Sequence, residues 1–163
     1  MGASMVTLCF SEFYKMQTYK VTVDEDKTIR WYNGKGQLHR LDGPAVEWAD
    51  GYKAWHVEGK CHRLDGPAVE WASGYKAWWV EGKRHRLDGP AIEGADGTKS
   101  WFVEGKCHRL DGPAIEHADG AKGWFVEGKE LTEKDFNEYI KPKPTCEGKV
   151  VEIDGKKYKL VSI

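Results

Sequence analysis

His39–Cys61 reads HRLDGPAVEWADGYKAWHVEGKC, and the unit recurs three times without a gap: HRLDGPAVEWASGYKAWWVEGKR over 62–84, HRLDGPAIEGADGTKSWFVEGKC over 85–107 and HRLDGPAIEHADGAKGWFVEGKE over 108–130. A tandem 23-residue period belongs to a stacked array in which each unit buries its apolar surface against its neighbours. Within the first unit, Ala45–Ala49 lies between Gly43-Pro44 and Asp50-Gly51, and Tyr52–Glu58 runs on to Gly59. Neither stretch has room for a helix. Asp-Gly between two alternating runs is a strong hairpin signal, and Ser73-Gly74, Asp96-Gly97 and Asp119-Gly120 occupy the matching sites. The expected fold is all-β: one β-hairpin per unit, joined by EGK-x-HRLDGP, with eight short strands from residues 39–130 in a single elongated antiparallel sheet of stacked hairpins.

A two-residue turn at Asp50-Gly51 pairs Ala49 with Tyr52, Trp48 with Lys53 and Val46 with Trp55. Opposed residues share a face. This register puts Val46, Trp48, Lys53, Trp55 and Val57 on a main packing face. Ala45, Glu47, Ala49, Tyr52, Ala54 and His56 fall on the other.

The flanks read as caps. Residues 1–15 form an N-terminal extension, with Met5 and Met16 as possible internal starts. Met1–Phe10 has neither the basic start nor the long apolar core of a signal peptide, and Val6 stands where a myristoylation motif wants Ser or Thr. Residues 16–38 form a degenerate capping hairpin: Thr18–Val23, a turn at Asp24-Glu25-Asp26, then Thr28–Tyr32, with Trp31 near the repeat Trp position and one residue inserted after it. Residues 131–141 are expected to be a helix, with Thr132 as N-cap, Asp135 at the third position, Leu131 and Phe136 at staple spacing, and Pro142 as the stop. Its stripe of Phe136, Tyr139 and Ile140 should pack on the last hairpin. Residues 145–163 hold a terminal hairpin around Asp154-Gly155, with Val151, Ile153, Tyr158 and Leu160 on one face and Glu152, Lys157 and Lys159 on the other.

The 163 residues carry 25 Lys+Arg against 26 Asp+Glu, a balance that argues against a nucleic-acid binder. Mean hydropathy is −0.67, and no run approaches the roughly 20 apolar residues of a membrane span. With 19 Gly and 8 Trp, turns are many and aromatics stand in for a deep core. Cys9, Cys61, Cys107 and Cys146 are sparse and never in C-x-x-C, which reads as reduced thiols of a cytosolic protein.

The polar ladders read as scaffold. Units two strands wide set equivalent atoms about 10 Å apart, so His39, His62, His85 and His108 cannot share a metal; each is expected to bond a loop. Arg40, Arg63, Arg86 and Arg109, with Asp42, Asp65, Asp88 and Asp111, should form an ion-pair network between repeats; the competing reading is a row for an anionic ligand. Glu47, Glu70, Glu93 and Glu116 recur in identical surroundings, whereas a catalytic pair needs unlike ones. No catalytic residue, enzyme activity, metal or cofactor is expected.

Three columns vary between copies: Trp48/Trp71/Gly94/His117, Tyr52/Tyr75/Thr98/Ala121 and His56/Trp79/Phe102/Phe125. A binding array holds its scaffold positions fixed and varies its contacts. Trp and Tyr are the usual interface anchors. Trp48, Tyr52, His56, Trp71, Tyr75, Trp79, Phe102 and Phe125 are therefore the candidate partner-binding residues. The alternative is that the aromatics complete packing against the N-terminal segment.

W-x-x-x-G-x-x-H-x-x-x-G-P on a 23-residue hairpin period resembles the MORN-repeat group, and more closely its variants with NGK-x-HR-x-DGPA units in tailed bacteriophages and bacteria. The resemblance spans residues 28–130, without the Y-x-G-x-W opening of the usual repeat. It implies a protein- or lipid-binding scaffold. Together these readings point to a non-catalytic protein that binds a host protein through its aromatic face. The concrete expectation is a phage-encoded inhibitor of bacterial defence in the host cytoplasm, with no nucleic-acid or membrane partner. The other reading is a nucleotide-signal sponge using the Arg row and aromatic stacking. Open sheet edges allow a homo-oligomer.

Overall fold

The computed structural model describes residues 19–142 and 150–159. The N-terminal extension, the start and end of the terminal hairpin segment, Cys9, Cys146 and Leu160 lie outside them.

Eleven strands form one long antiparallel sheet. It begins with Lys20–Val23 and Ile29–Tyr32 and continues with two strands from each unit in chain order: Val46–Glu47 and Lys53–Ala54, Val69–Glu70 and Lys76–Ala77, Ile92–Glu93 and Lys99–Ser100, Ile115–Glu116 and Lys122–Val126. Lys129–Leu131 closes it. The eight repeat strands and the degenerate first hairpin are thus as the sequence led one to expect.

The register differs by one residue. Trp48 N–H donates to Tyr52 O at 2.9 Å, and Gly51 N–H donates to Trp48 O at 3.0 Å. The loop is therefore Ala49-Asp50-Gly51, three residues rather than two, with Gly51 at φ 94°. A turn followed by a left-handed Gly is the three-residue hairpin loop. Asp50 Oδ1 favours it here by accepting from Tyr52 N–H at 3.0 Å. Val46 then lies opposite Ala54 and Glu47 opposite Lys53. The face assignment from a two-residue turn is corrected accordingly: Val46 and Trp48 share a face with Tyr52 and Ala54. Trp55 and Val57 lie on the opposite face, beside His62 and Arg63.

EGK is also more than a linker. His56–Val57 pairs with Lys60–Cys61 around Glu58-Gly59, both residues at positive φ (48° and 80°), so each unit carries a second, tighter hairpin. Glu81, Glu104 and Glu127 repeat that left-handed conformation. A non-glycine there costs of the order of 1 kcal/mol or more and needs a partner to hold it. The partner is a histidine: Glu58 N–H donates to His39 Nδ1 at 3.0 Å. His62, His85 and His108 accept from Glu81, Glu104 and Glu127 in the same way.

The core is a thin column rather than a deep interior. Across the sheet run Val46, Ala54, Val69, Ala77, Ile92, Ser100, Ile115 and Gly123, β-branched and small side chains in alternation. Ala45, Ala68, Ala91 and Ala114, ahead of the first strands, are fully buried. The parallel column alternates Glu47, Lys53, Glu70, Lys76, Glu93, Lys99, Glu116 and Lys122, so opposite charges face each other at each step.

The helix spans Glu133–Tyr139, with Asp135 N–H donating to the Thr132 side chain at 3.1 Å. Phe136 is fully buried, its ring 4.7 Å from that of Trp124. Tyr139 and Ile140 remain 58% and 43% exposed, so only Phe136 of the expected stripe packs on the last hairpin. The terminal hairpin, Val150–Ile153 with Lys156–Lys159, turns at Asp154-Gly155 and forms its own two-stranded sheet. Phe136→Ala should cost about 3–5 kcal/mol, as for other buried Phe truncations. Urea unfolding read by Trp fluorescence, with amide exchange showing residues 108–131 opening first, checks this.

Candidate functional site

The two faces of the sheet hold different chemistry. On one, each conserved-in-register Arg lies over the Trp of the preceding unit. The Arg63 Cζ is 4.1 Å from the Trp55 ring centroid. Arg40 sits likewise over Trp31, Arg86 over Trp78 and Arg109 over Trp101, at 3.9–4.1 Å. Arg63 Nε donates to Asp65 at 2.9 Å, and Nη1 donates to Pro67 O and Glu70, both at 3.1 Å. The glycine of HRLDG closes the other side: a Cβ on Gly66 would stand 3.0 Å from the guanidinium carbon.

This corrects the expected network between repeats. Arg, Asp and Glu pair within one unit, because the RLDGPAVE loop folds both carboxylates back onto its own guanidinium. What crosses between units is the strand pairing, the Trp stack and the Lys60–Glu81 and Lys83–Glu104 pairs, whereas the His-to-turn bond stays within one unit. Arg40, Arg63, Arg86 and Arg109 each meet two carboxylates, so an arriving anion finds each guanidinium already neutralised. The neighbouring guanidinium, through its hydrogen bond, holds Asp42, Asp65, Asp88 and Asp111 below the ordinary carboxylate range.

Among the described residues no three His, Cys, Asp or Glu side chains gather as metal ligands. Cys61 and Cys107 are free thiols pointing at Ala68 O and Ala114 O. Burial pushes them up to about 12 and about 11, the reverse of an activated nucleophile.

On the other face the Trp48 ring lies 4.4 Å from Tyr52 and 5.8 Å from Trp71, and Tyr52 lies 4.8 Å from Trp71. Rings from two units thus form one cluster. Val69, Trp71, Ser73, Tyr75, Ala77 and Trp79 extend it as an apolar hollow of about 420 Å³. The first hairpin reaches the edge of Trp48 but leaves it 39% exposed, and Trp71 is 42% exposed. In the third unit the patch stops: a Cβ on Gly94 would collide with the Asp96 carboxylate, which accepts from Thr98 N and Oγ1.

The eight candidate binding residues therefore divide. Trp48, Tyr52, Trp71, Tyr75 and Trp79 are contiguous. His56, Phe102 and Phe125 lie half-buried along the second hairpins. Burial lowers the His56 pKa. Phe125 covers Gly123, whose added Cβ would stand 3.0 Å from its ring.

A surface not anticipated from the sequence lies on the Arg/Trp face. Leu41, Leu64, Leu87 and Leu110 project from the HRLDG loops at 62%, 79%, 79% and 51% exposure. Three grooves of about 580, 630 and 550 Å³ separate successive loops. The signal was a leucine constant in every copy with no apolar neighbour in its loop.

No family model, curated protein or solved structure matches the chain. No helix among the described residues is long and apolar enough to cross a membrane.

Two outcomes follow from the titrations. With Cys9 and Cys146 replaced by Ser, a disulfide reagent at pH 8 should modify native Cys61 and Cys107 at least about tenfold more slowly than the same thiols in the unfolded chain, Cys61 the slower of the two. For Asp65 the folded pKa lies below the unfolded value of about 3.9, so its stabilisation is full above that pH and is lost as the pH falls through the folded pKa. The melting-temperature gap between wild type and Asp65→Asn should therefore close as the pH is lowered from about 5 to about 2.

Proposed function

We propose that the chain is a non-catalytic binding module that holds a protein partner against Trp48, Tyr52, Trp71, Tyr75 and Trp79. The observation that supports this most is that the fold does without four of these rings, those of Trp48, Tyr52, Trp71 and Tyr75. The third and fourth units build the same hairpins with Gly94 and Thr98, and with His117 and Ala121, at the same two positions. A clustered aromatic surface that packing does not require, part exposed, matches what interface anchors look like.

Polar satisfaction points the same way. His56 Nδ1, Trp79 Nε1 and Arg84 Nε are buried polar side-chain atoms with no hydrogen-bond partner, and they lie on the second hairpins, two of them in a column that varies between copies. Buried polar groups in a scaffold are nearly all bonded. The invariant His, Arg, Asp and Glu of each unit meet that standard; the variable aromatic column does not.

The resemblance to phage-type repeats makes a bacterial host protein, a defence enzyme in the cytoplasm, the concrete candidate partner. The nucleotide-sponge reading required the Arg row and the Trp/Tyr stack to act together. They lie on opposite faces, so one small anion cannot use both.

Native mass spectrometry of tagged wild type and Trp71→Ala recovered from a bacterial lysate tests the proposal. A stoichiometric protein mass on the wild type should weaken by about 30-fold or more in the variant, the loss typical of an anchor. The melting temperature should stay within about 2 °C. Equal retention by the variant would remove the aromatic patch from the interface.

A further inference from the structure

The internal copies sort positions by need. His holds the next Glu-Gly turn, Arg stacks on Trp, Asp and Glu clamp Arg, and Gly gives it room. Ala is buried, and the Gly of the Asp/Ser-Gly turn takes the left-handed position. The leucine of HRLDG is as constant as any of these, yet in the two central units it is 79% exposed. Columns 48, 52 and 56 have diverged within the same array; this leucine has not.

The leucines stand as ridges between grooves, each walled by two HRLDG loops and floored by a Trp and a Val, as Trp78 and Val80 floor the central one. One unit advances by two strands, about 9.6 Å. A polyproline II chain advances three residues in about 9.3 Å, so it can set one side chain into each successive groove with under an ångström of accumulated mismatch over three. Its backbone has acceptors and, where proline, no donors. The grooves offer ring nitrogens: His62, His85 and His108 each line one, and with Nδ1 engaged at the Glu81, Glu104 and Glu127 turns, Nε2 is the ring atom left to meet a ligand carbonyl.

Charge narrows the ligand. On each ridge the carboxylate faces out and the guanidinium faces in: the Asp65, Asp88 and Asp111 side chains are 83–85% exposed, and Arg63, Arg86 and Arg109 only 19–22%. The rim therefore suits cationic side chains. A second copy of this chain would instead bring two such acidic rims together.

We infer that the leucine face docks an extended, proline-rich, basic peptide segment in the polyproline II conformation, one apolar side chain to each groove. The face is opposite the aromatic patch and can be tested apart from it. The probe is a synthetic (Pro-Pro-Lys)4 peptide titrated into full-length protein, read by Trp fluorescence and calorimetry. Saturable 1:1 binding is expected, weakened tenfold or more by the double substitution L64D/L87D and unchanged by Trp71→Ala. Circular dichroism should show both variants folded, since the leucines are exposed. (Pro-Pro-Glu)4 and the equally charged but flexible (Gly-Ser-Lys)4 should not bind. The inference is overturned if (Pro-Pro-Lys)4 shows no binding at 1 mM, if either control binds as well, or if L64D/L87D binds like wild type. It is equally overturned if L64D/L87D converts a homodimer to monomer, which would assign the ridges to a second copy.

Discussion

An arginine lying flat between a tryptophan and a glycine is the contact on which the array depends. With most repeat strands two residues long and only Phe136 both large and fully buried among the described residues, the sheet has little interior to hold it together. Cohesion must come from terms repeated at each unit boundary, as in any array whose stability is a sum of unit and nearest-neighbour contributions. The Arg-on-Trp stack is one such term, worth roughly 0.5–2 kcal/mol depending on desolvation. The two carboxylates and the proline carbonyl fix the guanidinium in the one plane where stacking is possible. Remove the Trp and the Arg has no floor; add a side chain at Gly66 and it has no space. The ends obey the same rule. Trp31 in the degenerate hairpin carries Arg40, and Trp124, which has no following HRLDG loop, is covered by Phe136 of the helix instead.

The eight tryptophans divide by this constraint. Trp31, Trp55, Trp78, Trp101 and Trp124 bear the stacking partners, while Trp48, Trp71 and Trp79 belong to the aromatic face. A Trp count alone suggested aromatics replacing a core. The division into a structural ladder and a separate surface appears only once the register is known, and the register depended on a single turn. Asp-Gly is compatible with two- and three-residue loops; all four units place a left-handed Gly third in a three-residue loop, and Asp50 reinforces it by capping Tyr52 N–H, geometry that the pattern of apolar residues does not encode.

Much of the architecture was nonetheless legible, because a repeat reports its own period. The first hairpin of each unit, the capping hairpin, the Thr132 cap and the Asp154-Gly155 turn all follow from short-range chemistry. The second hairpin in each unit was not legible, since Glu58 sits at positive φ, where Asn, Asp or Gly would have announced the turn. Its stabiliser is His39, 19 residues earlier at the other end of the same unit, a contact that the local residue pattern does not announce. The aromatic cluster was legible through variation between copies, a signal internal to one chain. The leucine surface is not legible in constancy alone, because only exposure separates a constant residue that packs from one that does not.

The two faces also differ in what change they tolerate. Along the Arg/Trp face the invariant side chains bond within their own unit or, as Arg on Trp, stack on the unit before, so a substitution in one copy disturbs that unit or its boundary, and the copies are held alike. Along the aromatic face the side chains at 48, 52 and 56 project from hairpins already closed by backbone bonds, such as Trp48 N–H to Tyr52 O, which any residue but proline can make. One face is free to diverge while the other cannot, and this follows from the hydrogen-bond geometry alone. An array built this way can acquire a new partner on its variable face by changing two or three side chains per unit. Its constant face presents the same groove at the same spacing each time, a surface suited to a ligand that is itself periodic.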